Sequence, residues 1–309
     1  MILTVAINAA FDITYGIGRV EWHGVNYLRE VRTRTGGKAV NVARTLQALG
    51  MATEVIGLAG GGNGHWMREE LARSGLRARL VEMKGESRRT VTVVDDARGD
   101  ATLFLEPGPQ IAHEEWEALV TIYLDRLAHA KAVVLAGSLP PGVPVDAYRQ
   151  LGELATKAGV PVVLDAVGEA LTWGLHARPQ LVKPNLSELE GFAGNRLNTE
   201  PDKLQAVEAM LEVGAEAVVV SLGDEGLLAV TIEGRWRVQP SERLTGNPTG
   251  AGDAVVSALT LGMIRGTSWP KRLADACALS MAAVKAPEAG EFDDKAYRHY
   301  QQLVRVTSF

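Results

Sequence analysis

Short runs that are apolar on both faces keep returning along this 309-residue chain, and each stops at a small or polar side chain. Residues 2–7 lead into Asn8 and then Asp12, and residues 132–136 into Gly137 and Ser138. Residues 160–164 lead into Asp165, 181–182 into Lys183 and Asn185, and 217–220 into Ser221 and Gly223. A strand that is apolar on both faces must be covered on both, as in a parallel sheet clad by helices. Segments of helical period lie between the runs, at 40–49, 66–74, 114–128, 146–158 and 202–212. That alternation predicts right-handed βαβ units and a three-layer α/β/α sandwich around a mostly parallel central sheet. Ligands of such sheets bind beyond the carboxyl ends of the strands. Five of those ends carry Asn, Ser, Asp, Lys or Gly, so the site is expected there.

Two regions break the rhythm. Residues 13–35 and 87–106 are short, partly alternating and without a helical face, and they read as antiparallel strands outside the main sheet, a lid over its open edge. No repeat, low-complexity tract or linker divides residues 1–309, so a single domain carrying this small lid is expected, with a closing helix after Glu291. A net charge of −5 without a basic stripe excludes a nucleic-acid-binding surface. No apolar stretch is long enough to span a bilayer, and residues 1–9 lack the basic start of a signal peptide. The single cysteine, Cys277, excludes an intrachain disulfide and fits a reducing cytoplasm, where it reads as a small buried apolar residue.

Two segments open helices with glycines. In Asn247-Pro-Thr-Gly-Ala-Gly-Asp-Ala254, the residues Gly250, Ala251 and Gly252 let backbone N–H groups approach an anion, and the apolar run 254–263 reads as the helix that follows. Asp253, in its first turn, is placed to accept a proton from an attacking hydroxyl while the turn neutralises phosphate charge. The plainer reading is an aspartate that merely favours the helix dipole. Thr35-Gly-Gly-Lys-Ala-Val-Asn-Val-Ala43 lacks the earlier glycine and the Ser or Thr of a Walker A loop, and the dinucleotide fingerprint is absent. Lys38 and Asn41, three apart, share a helix face from which they could hold an anionic substrate and its hydroxyls. Alone they read rather as a solvated charge and an exposed polar residue.

Asp12 is either a hydroxyl acceptor or a turn residue. Arg88, beside Arg89 at the start of a lid strand, suits a phosphate bound bidentately, and Ser138 could donate to an anion. Asn185 and Glu188 fit a water-mediated Mg²⁺ contact or a helix capping box, and both readings are compatible. The six histidines show no ligand spacing, and no Gly-x-Ser-x-Gly elbow is present.

Taken in order along nearly the whole chain, these segments resemble the ribokinase/phosphofructokinase-B family of sugar kinases. Gly36-Gly-Lys-Ala-Val-Asn-Val-Ala43 is similar to its N-terminal signature, and Thr249-Gly-Ala-Gly-Asp253 to its C-terminal one. Gly137-Ser-Leu-Pro-Pro-Gly142, Asp165 with Gly168-Glu-Ala-Leu171, Leu181-Val-Lys-Pro-Asn185 and Val218-Val-Val-Ser-Leu-Gly223 resemble the 1-phosphofructokinase and tagatose-6-phosphate kinase branch. The resemblance implies a ribokinase-like sandwich with a β lid, often a dimer in which lids clasp, and the use of ATP and Mg²⁺. It implies Asp253 as general base, with Gly250, Ala251 and Gly252 as the anion hole. Lys183 and Asn185 would face the nucleotide phosphates, with Glu188 on the metal through water. Ser221, Gly223 and Gly226 would line the nucleotide pocket. Asp12, Gly37, Lys38 and Asn41 would hold the sugar, with Arg88 and Ser138 at its phosphate.

Three departures stand out. Asn8-Ala-Ala replaces the usual Asn-Pro-Ala, and Asn247-Pro248 replaces Asp-Thr or Ser-Thr before the anion hole. Tyr27, with Arg29 nearby, stands where 6-phosphofructokinase members carry a lid arginine that reaches the partner's substrate. The expected reaction is phosphoryl transfer from ATP to a ketohexose phosphate: fructose 1-phosphate, fructose 6-phosphate or tagatose 6-phosphate. The alternatives are a kinase of a free sugar or nucleoside, and a non-catalytic sugar- or nucleotide-binding regulator on the same fold. The missing fingerprint disfavours a Rossmann oxidoreductase.

Overall fold

Along β1 (Ile2–Ala6), Ile2 and Ala6 enter one apolar core and Leu3 and Val5 another, because strand side chains alternate between faces. The computed structural model describes residues 1–244 and 249–309, so Asn247 and Pro248 of the glycine turn lie outside the described residues. After β1 come β2 (Ala10–Ile17), β3 (Glu30–Gly36) and α1 (Lys38–Ala48). Then β4 (Thr53–Ala59), α2 (Gly61–Arg73), β5 (Ala78–Glu82), β6 (Arg89–Asp95) and β7 (Asp100–Leu105) lead to α3 (His113–Leu127). The middle of the chain alternates β8 (Ala132–Gly137), α4 (Ala147–Lys157), β9 (Val162–Ala166), α5 (Glu169–Leu175) and β10 (Leu181–Val182). It continues through α6 (Leu186–Ala193), α7 (Glu200–Val213), β11 (Val218–Ser221), β12 (Leu227–Thr231) and β13 (Gly234–Gln239). The last elements are α8 (Ala251–Arg265), α9 (Trp269–Val284), α10 (Asp294–Tyr300) and β14 (Arg305–Ser308).

The main sheet is ten-stranded, in the order β14-β13-β12-β11-β10-β9-β8-β1-β4-β5. The pairs from β11 to β5 are parallel, and β12, β13 and β14 extend the sheet as an antiparallel edge. Helices α1, α2, α8 and α9 bury Leu46, Met67, Leu259 and Leu279 against one face. Helices α3, α4, α6 and α7 bury Tyr123, Leu151, Leu189 and Met210 against the other. The expected α/β/α sandwich is therefore present. No helix of the described residues is long and apolar enough to cross a membrane.

From β1 the chain winds outward through β4 and β5, then returns to the opposite side of β1 for β8 and the strands that follow. The order reverses between β1 and β8, and a crevice opens where crossovers diverge at such a point. Asn8 and Ser138, just past those two strands, bridge it with an Nδ2–Oγ hydrogen bond of 3.1 Å.

A separate four-stranded sheet, β3-β2-β6-β7, is built from the two regions that break the helical rhythm. Within it β2 pairs antiparallel with β3 and β6 with β7, but β2 and β6 run parallel. The closing helix is α10, yet the chain goes on to add β14 to the sheet edge. With Val306 the one apolar residue it packs on the core, β14 is too short to announce itself by alternation.

Candidate active site

Helix starts differ in how their first amides are used. The Asn185 side chain accepts from the Glu188 N–H at 2.8 Å, and Glu188 Oε2 accepts from the Asn185 N–H at 2.8 Å, closing a capping box on α6. Helices α1 and α8 start instead at Gly37 and Gly250, and neither has a side-chain cap. Apart from Val40 and Asn41, whose N–H groups share the Gly37 carbonyl at 3.0 Å, their first-turn N–H groups have no carbonyl behind them by helix geometry, and both ends open into one cavity of about 1100 Å³. The carboxyl ends of β1, β8, β9, β10 and β11 meet the same cavity through Asn8, Ser138, Asp165, Lys183 and Ser221.

Gly250 adopts the left-handed conformation, with φ +87°, and a Cβ there would come within 2.9 Å of Ala289 Cα. Only glycine turns the chain into α8 at this place without displacing the neighbouring loop. Asp253 follows in the first turn and is buried. Its Oδ2 accepts from Asn41 Nδ2 at 2.8 Å, across the contact between α1 and α8. Burial raises the Asp253 pKa to about 6 and Asp165 adds to the rise, while Asn41, Lys38 and Lys183 oppose it. A carboxylate of that strength is a competent proton acceptor near neutral pH.

Two lysines stand opposite, Lys183 buried and Lys38 half-buried. Lys183 is 2 % exposed, and a Cβ on Gly252 would lie 3.6 Å from its Nζ. This places the ammonium beside the first turn of α8. Lys183 Nζ is 3.5 Å from Asp165 Oδ1, and Lys38 Nζ is 2.9 Å from the same oxygen and 2.8 Å from Glu188 Oε1. Burial works against the Lys38 charge, but Asp165 and Glu188 outweigh it and hold its pKa above the ordinary value. The charge expected to hold an anionic substrate is therefore already balanced by two carboxylates. Asp165 Oδ2, by contrast, is buried and has no hydrogen-bond partner among the described residues.

The other end of the cavity is roofed by the second sheet, through Asp12, Arg88, Thr90, Leu103 and Leu105. Asp12 Oδ2 would be 1.7 Å from a Cβ on Gly36, so the bare glycine leaves room for the carboxylate. Burial lifts the Asp12 pKa to about 7, against the pull of Arg88. Arg88 is anchored by Nε to the Asn8 carbonyl at 3.0 Å and by Nη1 to the Glu106 carbonyl at 3.3 Å. Beyond Ser221, Gly223 and Gly226 the wall becomes an apolar slot of Leu227, Pro240, Cys277, Met281 and Val284.

Among the described residues, every one given a catalytic, sugar or nucleotide role in the sequence lines this cavity except Glu188, which reaches it through Lys38; Arg89, Tyr27 and Arg29 lie outside it. Sequence reasoning passed over Asp165 as a site residue, although its place at the end of β9 was the available signal. It also missed Asn8, for which the same signal existed. The apolar wall from α9 had no signal, since residues 274–283 read like any buried helix.

The donors fit a triphosphate: uncapped first-turn amides beside a buried ammonium form a concave cradle for an anion. No three His, Cys, Asp or Glu side chains of the described residues converge as a metal-binding group. A divalent cation here would be held by phosphate oxygens and water, with Asp165 Oδ2 and Glu188 as the carboxylates within reach of that water.

A doubly covered sheet with an aspartate and an uncapped helix start at its switch-point crevice is the architecture of a phosphotransferase acting on alcohols. The profile described as pfkB family carbohydrate kinase matches residues 6–296. A 1-phosphofructokinase from Haemophilus influenzae is 32% identical over 307 residues, covering 99% of this chain and 98% of its own. The crystal structure of phosphofructokinase-2 from Escherichia coli in complex with substrates and products superposes with a TM-score of 0.87 at 29% identity, over 98% of this chain and 99% of the other. Arabidopsis thaliana ribokinase complexed with ribose and ATP shares the fold, with a TM-score of 0.74 at 23% identity over 97% and 98%. The chain belongs to the pfkB family of carbohydrate kinases.

Proposed function

We propose that this kinase transfers the γ-phosphoryl group of ATP to a hydroxymethyl oxygen of a ketohexose phosphate. The observation that carries the reading is Asp253, buried at the uncapped start of α8 and held by Asn41 in the cavity that Lys183 enters. Asp253 takes the proton of the attacking hydroxyl as the new O–P bond forms and the bond to the bridging oxygen breaks, with ADP leaving. The amides that follow Gly250, together with Lys183, meet the charge on the transferring group. Mg²⁺, bound through water near Glu188 and Asp165, would supply further charge neutralisation. Asn185 faces the phosphates, Ser221, Gly223 and Gly226 border the nucleotide, and the apolar slot accepts the flat base.

The sugar lies under the second sheet, which acts as the lid and keeps water from competing with the alcohol. Asp12, Asn41 and Gly37 bind its hydroxyls, and Lys38, with its charge balanced, orients them. Arg88 and Ser138 take its phosphate. Fructose 1-phosphate is the first candidate, supported by the full-length likeness to a 1-phosphofructokinase; fructose 6-phosphate and tagatose 6-phosphate follow. The outer parts of the lid carry Trp22, Val25 and Tyr27, all more than 60 % exposed, which supports a homodimer joined through the lids. A soluble cytoplasmic setting agrees with the single buried cysteine.

An ADP-release assay over the three ketohexose phosphates, free fructose, ribose and adenosine tests this. One ketohexose phosphate should exceed every unphosphorylated acceptor in kcat/KM by on the order of 10²-fold or more, since half-buried Arg88 is left without its anion by the others. Preference for a free sugar or nucleoside, or no turnover at all, would refute it.

A further inference from the structure

Arg34 of β3 lies directly across the strand pair from Asp12 of β2. Side chains opposite each other in an antiparallel pair share a face, and Arg34 pulls the Asp12 pKa down from that position. The Arg34 guanidinium is turned away from the second sheet toward the loop after α9. It pairs with Glu288 Oε2 at 2.9 Å and Glu291 Oε1 at 3.2 Å, and it donates to the Ala289 carbonyl at 2.9 Å. Two residues earlier, on the same face, Arg32 donates to the Pro287 carbonyl at 3.1 Å.

That loop is the back wall of the anion cradle. Ala289 Cα is the atom that would sit 2.9 Å from a Cβ on Gly250. The next residue, Gly290, presses on α1: a Cβ there would be 3.2 Å from Asn41 Cα, and its carbonyl accepts from Thr45 Oγ1 at 3.2 Å. From Asp12, through its strand pairing with Arg34, a line of contacts therefore runs by residues 288–290 to Gly250 and to the backbone of the residue that holds Asp253. The first turn of α8 has no side-chain cap to fix it, so its geometry depends on what stands behind it.

We propose that Arg34 is a positioning residue that couples seating of the acceptor sugar under the second sheet to assembly of the phosphate cradle at Gly250. Sugar bound to Asp12 fixes β2 against β3. Arg34 then holds the 288–291 loop against Gly250 and Asn41, and the α8 amides and Asp253 take up their working places. The forked guanidinium suits this, because it grips two carboxylates and a carbonyl at once; an ammonium cannot match that geometry. The inference rests on the sugar-kinase reading above, and the test separates the two.

Calorimetric titration with a non-hydrolysable ATP analogue, with and without the ketohexose phosphate that the panel selects, measures the coupling. In the wild type the sugar phosphate should tighten analogue binding by about 5-fold or more, the usual lower range of coupling between sites. In Arg34→Gln, and independently in Glu288→Gln/Glu291→Gln, the ratio should fall to about 1, with kcat reduced by on the order of 10²-fold and little change in KM for ATP. Combining the two sets should add almost nothing, since they break one contact. Arg34→Lys should restore only part of the ratio. A purely structural arginine would change thermal stability but not the ratio. If Arg34→Gln does not fold, the loop-side pair carries the test alone. A wild type without coupling, or variants that keep the wild-type ratio, would overturn the inference. A wild type that turns over no panel member would overturn the kinase reading instead.

Discussion

The Asn41 amide donates to the Asp253 carboxylate over 2.8 Å, joining the first helix of the fold to the one that starts at the glycine turn. The bond fixes the carboxylate's direction and favours its ionised form, against the burial that pushes its pKa up to about 6. Both residues lie in helix first turns that no side chain caps, so the two signatures of the sequence meet in one hydrogen bond.

The pH dependence follows directly. Asp253 accepts a proton only when ionised, so log kcat/KM should rise with pH up to about 6 and then level. Asn41→Leu removes a contact that lowers the pKa and should move that limb upward by about one unit, with activity partly regained at pH 8. A limb that stays in place in Asn41→Leu would argue that another group titrates.

Stability should show the cost of burying Asp12. Its folded pKa of about 7 exceeds the ordinary aspartate value of 3.8, so the native state holds the extra proton between those limits. Stability from this group is therefore highest below about pH 4, declines as pH rises to about 7, and is flat above. The decline amounts to at most about 4 kcal/mol at 1.4 kcal/mol per unit. Asp12→Asn should flatten the fall in denaturation midpoint between pH 5 and pH 8 while weakening sugar binding. An unchanged slope would contradict the shift.

Much of the candidate site was readable because its polar groups sit at strand ends and helix starts, where they interrupt apolar runs. Asp12, Lys183, Asn185 and Asp253 were all singled out that way, and all four line the one cavity. Asp165 was placed at such a strand end but given no role, because one acidic residue after a strand looks the same whether it faces solvent or two lysines. The loop at Glu288 and Glu291 is about 250 residues from Arg34 in sequence and gives no local sign of the contact. In the fold, the sandwich was legible from the two-sided runs. The antiparallel edge was missed because β13, with Arg235 and Arg237, is too polar to read as a strand beside the core.

Gly250→Ala tests the turn itself. A Cβ would meet Ala289 at 2.9 Å and would have to adopt a φ of +87°. The start of α8 should shift by a fraction of an ångström or more, and kcat should fall by on the order of 10²-fold while the protein stays folded. Circular dichroism alongside kinetics separates this from unfolding.

Lys38→Met leaves Asp165 and Glu188 without their shared cation. Lys38 is partly exposed and Asp165 keeps Lys183, so the loss should fall below the about 3–5 kcal/mol of a fully buried broken pair but still lower the urea midpoint. Lys38→Met combined with Glu188→Gln should recover part of that loss.

The most direct measurement is single-turnover phosphoryl transfer by Asp253→Asn, which keeps the shape of the side chain and removes its capacity as a base. The rate should fall by about 10²–10⁴-fold, with the dissociation constant of a non-hydrolysable ATP analogue unchanged. Transfer at close to the wild-type rate would contradict the assignment of Asp253 and, with it, the account of how this site works.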